Sequence, residues 1–272
     1  MSKNSPVKPK KHLGQHFLKD ENIARKIVNQ LEDSSYKNLL EIGAGTGVLT
    51  KFILNDKKYD LTVVEIDDES VAYLKENLGF TDDNLLNEDF LKIDLSTVFD
   101  EKFGIIGNFP YNISSQIFFK VLDYRNQIPE VVGMIQKEVA ERIASPHGNK
   151  TYGILSVLLQ AFYNIDYCFT VNEKVFNPPP KVKSAVIRLK RNDIEQLDCN
   201  EKLFFQLVKF GFNQRRKMLR SALKPLGIPA AFKEKEELNQ MLSQRAEQLS
   251  VQDFIELTQI FEREREAESE QD

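Results

Sequence analysis

Two hydrophobic rhythms share this chain. Short apolar runs at 38–42, 60–66, 84–88, 103–107 and 130–136 read as strands, and the central ones are apolar at nearly every position, as strands buried on both faces are. Between them, apolar residues recur at three- and four-residue spacing. Ile23, Ile27, Val28 and Leu31 follow a capping Asp20, and Leu49, Phe52, Ile53 and Leu54 form a second set. Further helices are predicted over 70–78, 114–122, 137–144 and 151–162. Two late strands, 164–171 and 184–190, flank the run Pro178-Pro179-Pro180. Strands that alternate with helices predict an α/β fold with a mostly parallel sheet covered on both faces. From Asn200 onward only the helical spacing persists: Leu203, Leu207 and Phe210, then Met218, Leu219 and Leu223, then Phe254, Leu257 and Phe261. The expected division is a flexible basic arm over 1–12, an α/β domain over 13–194 and a small all-helical domain over 195–272.

Composition narrows the class. Of 272 residues, 41% are apolar and 29% charged, which suits a globular chain with a sizeable core. No apolar run reaches the ~18–20 residues of a membrane span, and no secretory leader is expected. Two cysteines and three histidines exclude a disulfide scaffold and a Cys/His zinc site, so no metal is expected and a reducing cytoplasm is. The net charge of −4 hides an uneven distribution. Residues 233–272 hold 12 acids against 5 bases, whereas 174–192 and 202–233 hold six and eight Lys/Arg with no acid, and 2–11 hold four Lys with none. Three acid-free basic stretches point to a polyanionic partner despite the acidic pI. For any one of them, a solvated helix face is the better account.

The run Leu39-Leu40-Glu41-Ile42-Gly43-Ala44-Gly45-Thr46-Gly47 is a strand entering a turn of alternate glycines. Such a turn lets backbone approach a nucleotide-like ligand at the carboxyl end of a first strand. Eighteen residues after Gly47 the next strand ends near Glu65, whose carboxylate can accept both hydroxyls of a ribose. The spacing is not that of the dinucleotide fingerprint, and no P-loop Lys-Ser/Thr follows. It resembles motif I of S-adenosylmethionine-dependent methyltransferases; a dinucleotide site or a structural turn stays open at this point. Asp89, with Glu88 as rival, stands where an acid after the third strand meets the adenine amino group in such folds.

The strand 103–107 runs into Asn108-Phe109-Pro110-Tyr111. An adenine N6 amino group is a poor nucleophile because its lone pair is delocalised into the ring. Two acceptors at its hydrogens favour a pyramidal nitrogen with the lone pair free. The Asn108 side-chain oxygen and a backbone carbonyl at Phe109 or Pro110 suit that task, Pro110 fixes the backbone, and Tyr111 can stack on an extruded base. Positioning and hydrogen bonding then carry the rate.

Five motifs in order resemble the KsgA-type small-subunit ribosomal RNA adenine dimethyltransferases. They are Lys11-His12-Leu13-Gly14-Gln15-His16-Phe17-Leu18, the loop from Glu41 to Gly47, Asn108-Phe109-Pro110-Tyr111-Asn112-Ile113-Ser114, Phe176-Asn177-Pro178-Pro179-Pro180-Lys181-Val182-Lys183-Ser184, and Phe212-Asn213-Gln214-Arg215-Arg216-Lys217-Met218-Leu219-Arg220. The resemblance implies a Rossmann-like S-adenosylmethionine-dependent methyltransferase sheet with a helical C-terminal domain. It implies N6,N6-dimethylation of two adjacent adenines in a hairpin loop near the 3′ end of small-subunit rRNA. As partner it implies small-subunit rRNA in a pre-30S particle, met by a cytoplasmic monomer with no membrane and no metal.

Carried over by position, His16, Leu18, Gly43, Gly45, Glu65, Asp89 and Asn108 are expected at the cofactor, and Asn108, Pro110, Tyr111 and Phe176 at the target base. Lys181, Lys183, Arg215, Arg216, Lys217 and Arg220 are expected at rRNA phosphates, where they position without reading sequence. Phe176 would sandwich the base with Tyr111; without the resemblance it reads equally as a core residue. Arg216 and Arg220 are expected on one helix face. Two positions depart from the family pattern: His16 stands where Asn is frequent, and Phe109 where Leu is common. Three readings compete: a resistance-type large-subunit rRNA adenine methyltransferase, an rRNA-binding assembly factor with secondary catalysis, and a dinucleotide-dependent oxidoreductase that would leave Asn108–Tyr111 unexplained.

Overall fold

The structure, a computed structural model, describes residues 7–234 and 236–269; the first half of the expected basic arm lies outside the described residues. The elements in chain order are β1 (Phe17–Leu18), α1 (Glu21–Val28), β2 (Asn38–Ile42), α2 (Thr50–Asp56), β3 (Asp60–Val64), α3 (Asp68–Leu78), β4 (Leu85–Leu86), β5 (Phe103–Asn108), α4 (Ser114–Asp123) and β6 (Glu130–Gln136). There follow α5 (Lys137–Ala144), α6 (Ile154–Gln160), β7 (Tyr163–Val171), β8 (Phe176–Asn177), β9 (Ser184–Arg191), α7 (Glu201–Asn213), α8 (Leu219–Ala222), α9 (Ala231–Glu234), α10 (Glu236–Ser243) and α11 (Val251–Ser269).

Seven strands form one sheet in the order β4-β3-β2-β5-β6-β9-β7. β4, β3, β2, β5 and β6 pair in parallel, and β9 closes antiparallel on β6. The chain therefore winds outward from β2 through β3 to β4, then returns to β5 on the other side of β2. A ligand crevice opens at the carboxyl ends of strands where the winding reverses. Leu39, Leu61, Val63, Ile106, Val132 and Met134 share a core with Ala24, Ile27, Ile53 and Leu74 of α1–α3. The alternate residues Leu40, Val64, Ile105, Val131 and Ile135 are as deeply buried, as a sheet covered on both faces requires.

Asp20 caps α1 as expected, its carboxylate accepting from the amides of Asn22 and Ile23. The link from α1 to β2 is held from across the sheet. Glu130, fully buried, accepts from the amides of Glu32 and Asp33 and from the Tyr36 hydroxyl at 2.7 Å. Burial and the adjacent Glu130 push the Tyr36 hydroxyl far above its ordinary range, so it stays a donor.

The chain packs as two compact units, one of residues up to Ala140 plus Asn164–Arg191, the other of Glu141–Tyr163 plus Asn192 onward. The second unit thus takes in 141–163, which the sequence reading keeps with the sheet. Leu155 and Val157–Leu159 of α6 are buried on every side, so their pattern carries no sign of which neighbours they join. In this unit Asn200 caps α7 through the Leu203 amide, and the rings of Phe212 and Phe254 lie 6.1 Å apart. The expected helix carrying Arg216, Met218, Leu219, Arg220 and Leu223 is corrected: 214–218 lie outside any helix, and α8 spans only four residues. Arg216 and Arg220 therefore share no helix face.

Candidate active site

β2 ends in a turn where Gly43 and Gly45 take positive φ of 69° and 55°. At Gly45 a side chain is also sterically barred, since a Cβ would meet the Phe17 ring at 2.8 Å. The Gly45 amide donates to Glu65 Oε2 at 2.8 Å, and the Asp67 amide donates to Oε1 at 3.0 Å. Glu65, just past β3, is thus fixed by two backbone donors while only 3% exposed. Burial pushes its carboxyl above the ordinary range, and the amides of Asp67 and Gly45 work against that rise. Beneath the turn, fully buried Glu41 accepts from the Thr50 hydroxyl at 2.7 Å. Burial raises its carboxyl to about 8, against the hydrogen bonds of Thr50.

The loop after β4 brings Glu88 and Asp89 to the same cavity. Asp89 accepts from the Leu91 amide at 3.0 Å. Lys120 of α4, itself buried, donates to the carbonyls of Phe90 and Ile93 and so ties this loop to α4. At the end of β5 the Asn108 amide nitrogen donates to the His16 carbonyl at 2.8 Å, which turns its Oδ1 away from that bond. Phe109 is buried against Gly107, Gly133 and the Phe118 ring, so its side chain serves packing. Tyr111 is held by a 2.5 Å hydrogen bond between its hydroxyl and Ser184 Oγ, and its ring centroid lies 5.3 Å from that of His16.

A cavity of about 240 Å³ joins these parts. Of the expected residues it is lined by His16, Gly43, Glu65, Asp89, Asn108, Pro110 and Tyr111. Three expected residues are not among its lining, and each has another task. Leu18 and Phe176 are buried in the core, paired in register across β1 and β8, so in this structure Phe176 forms no sandwich with Tyr111. Gly45 acts behind the wall by holding Glu65. The His16 ring reaches the Pro178 carbonyl through Nδ1 at 2.8 Å, while its backbone carbonyl holds Asn108. Sequence reasoning missed Ile66, an apolar residue 47% exposed beside Glu65 on the cavity wall. Its signal was its place directly after the strand-end acid. Among the described residues there is no cluster of three His, Cys, Asp or Glu able to hold a metal, and no helix long and apolar enough to cross a membrane.

Residues 7–263 match the family described as ribosomal RNA adenine dimethylase. The chain belongs to this family. This dimethylase is 59% identical over 255 residues to ribosomal RNA small subunit methyltransferase A of Cytophaga hutchinsonii, covering 93% of this chain and 97% of that one. It is 56% identical to the protein of the same description from Flavobacterium johnsoniae, covering 94% and 97%. Its fold matches the crystal structure of a dimethyladenosine transferase from Plasmodium falciparum with a TM-score of 0.76 at 26% identity, covering 92% and 98%. The 23S rRNA methyltransferase ErmE follows with a TM-score of 0.66 at 25% identity, covering 89% and 99%. The chain is thus an rRNA adenine dimethyltransferase, with the Rossmann-like methyltransferase sheet that its motifs imply.

The expected phosphate-binding residues of the dimethylase divide into two kinds. Lys181, Lys183, Arg216, Lys217 and Arg220 are exposed. Arg215 donates to the carbonyls of Lys150 and Tyr152 and faces Glu247 at 3.9 Å. These bonds lie within the second unit, so Arg215 supports that unit internally.

Proposed function

We propose that this dimethylase transfers methyl groups from S-adenosylmethionine to N6 of two adjacent adenines in the 3′-terminal hairpin loop of small-subunit rRNA, acting as a cytoplasmic monomer on a pre-30S particle. The observation that carries this reading is one cavity lined both by the glycine turn with Glu65 and Asp89 and by Asn108-Phe109-Pro110-Tyr111. The donor set fits the cofactor. Each Glu65 oxygen uses one lone pair on a backbone amide and keeps another for a ribose hydroxyl. Ile66 offers an apolar wall for a purine, and Asp89 an acceptor for its amino group. Gly43 leaves room at the amino-acid end.

S-adenosylmethionine, when bound, supplies an electrophilic methyl group. The chain supplies placement. Asn108 Oδ1 accepts one amino hydrogen of the target adenine, oriented by the bond from Nδ2 to His16. The second acceptor is the backbone carbonyl of Phe109 or Pro110; that of Pro110 spends one lone pair on the Ile113 amide at 3.2 Å and keeps the other. Together they favour a pyramidal nitrogen, and preorganised acceptors of this kind act without rearrangement during the reaction. Tyr111, pinned by Ser184, presents a ring for the base. The methylated nitrogen is strongly acidic and gives its proton to water.

The small-subunit target is supported by relatives at 53–59% identity, against 25% for the large-subunit enzyme ErmE. Labelled methyl transfer to unmethylated small and large subunits, with nucleoside identification, tests it. Dimethyladenosine in the small subunit alone is expected; label in the large subunit alone overturns the reading.

A further inference from the structure

The segment before β1 forms one wall of the cavity through Leu13, Gln15 and His16. It is tied down at two points. Toward β1 it is held by the strand pairing with β8 and by the Asn108 bond to the His16 carbonyl. At its other end a separate cluster holds it. The Asp67 carboxylate has no solvent exposure, yet it receives the Lys10 ammonium, the Ser70 hydroxyl at 2.9 Å and, at 3.5 Å, the Gln15 amide. The Lys10 amide also donates to Gln15 Oε1 at 2.8 Å. Burial opposes charge on Asp67, but the bonds from Lys10, Ser70 and Gln15 prevail and keep its carboxyl below the ordinary range. The same residue's amide holds Glu65 Oε1. Asp67 therefore joins the proposed ribose acid to the wall that faces it.

We infer that Lys10, Gln15 and Asp67 form a latch that closes the N-terminal wall over the cofactor and sets how fast spent cofactor leaves. This rests on the reading that the cavity takes S-adenosylmethionine. Dimethylating two adenines takes four methyl transfers, so cofactor must be exchanged repeatedly and the wall must open each time. The arrangement suits such opening. The Lys10 side chain is partly exposed, and the latch is made of side-chain bonds at the end of a segment rather than of sheet pairing. Lys10, Gln15 and Asp67 are positioning residues, since none of them bears the reacting atoms.

The test uses the full chain with S-adenosylhomocysteine as probe. Lys10→Met lies near the start of the described chain, where loss of one side chain leaves the sheet intact. It is expected to raise the probe's Kd and its dissociation rate about fivefold, a factor that corresponds to one partly exposed ion pair. At saturating S-adenosylmethionine, kcat is expected to hold or rise while KM rises. Asp67→Asn keeps an acceptor for the Ser70 hydroxyl but loses the ion pair. The double variant is then expected to bind no more weakly than the weaker single one, as coupled residues do. Unchanged probe Kd and dissociation in Lys10→Met, with normal binding by the wild type, overturns the latch. Additive effects in the double variant overturn it too. Failure of the wild type to bind the probe overturns the cofactor reading beneath it.

Discussion

Asn108 and Arg215 make the same kind of bond with opposite consequences. Each gives side-chain N–H groups to backbone carbonyls, Asn108 to His16 and Arg215 to Lys150 and Tyr152. An amide has two chemical ends, so tying down the nitrogen aims the oxygen. A guanidinium has only donors, so the same tie consumes what a phosphate would need, and Glu247 answers the charge. At the strand ends, then, internal bonds prepare polar groups for a ligand. In the turn after α7 they occupy part of Arg215 and leave Arg216 and Lys217 exposed, while exposed Arg220 in α8 gives one long N–H to the Asn239 carbonyl at 3.5 Å. A polar side chain is available for function according to what its internal bonds leave over, rather than according to its type.

The sharpest break of this comparison is Asn108→Ala. It is expected to lower kcat by at least about 10²–10³-fold, the scale for removing one preorganised hydrogen-bonding group at a reacting centre. Calorimetry should show only a modest loss of cofactor affinity, and transfer near the wild-type rate would defeat the proposed mechanism. Glu65→Gln comes next. The amide keeps the shape but puts a donor where backbone amides already donate, so cofactor Kd should rise roughly 10–100-fold. RNA binding should not change; unchanged cofactor affinity would remove Glu65 from the ribose.

How legible these regions were follows from the same distinction. The strands of the parallel sheet and the residues at their ends were written in strong local signals: buried apolar runs, a run of alternate glycines, and acids at strand ends. Asp20 could be read as a cap because its partners lie two and three residues away. The partners that decide function lie far off in sequence. Nothing near residue 215 announces Lys150 and Tyr152, and nothing near Phe176 announces that its ring is enclosed by the core around β1 and β8. The arm over 1–12 looked free because Lys and Pro dominate it, yet buried Asp67 holds Lys10. The boundary at 194 missed 141–163 because a helix buried on every side carries no address.

Arg216, Lys217 and Arg220 give a smaller and more graded effect. Replacing all three by Ala should flatten the plot of log affinity for the small subunit against log salt, by about 0.7–0.9 for each phosphate that the protein no longer neutralises. Arg215→Ala is the internal control. It should lower Tm because its bonds to the two carbonyls are gone, and leave the salt slope as it was. A triple variant that folds normally and keeps the wild-type slope would show that exposure in this turn does not mean RNA binding.

The hidden support of the prepared region shows itself through pH rather than through binding. Glu41 has its carboxyl raised from 4.5 to about 8 by burial under the glycine turn. In the unfolded chain it ionises near 4.5, whereas in the folded chain it keeps its proton until about 8. The unfolded state therefore binds fewer protons across that window, and stability falls as pH rises through it. Glu41→Gln keeps an acceptor for Thr50 and carries no proton equilibrium. The difference in Tm, variant minus wild type, should then grow from about pH 4.5 to about pH 8 and level off above. A difference that stays flat over that window would mean that Glu41 is ionised in the folded protein, with the Thr50 hydroxyl as its donor.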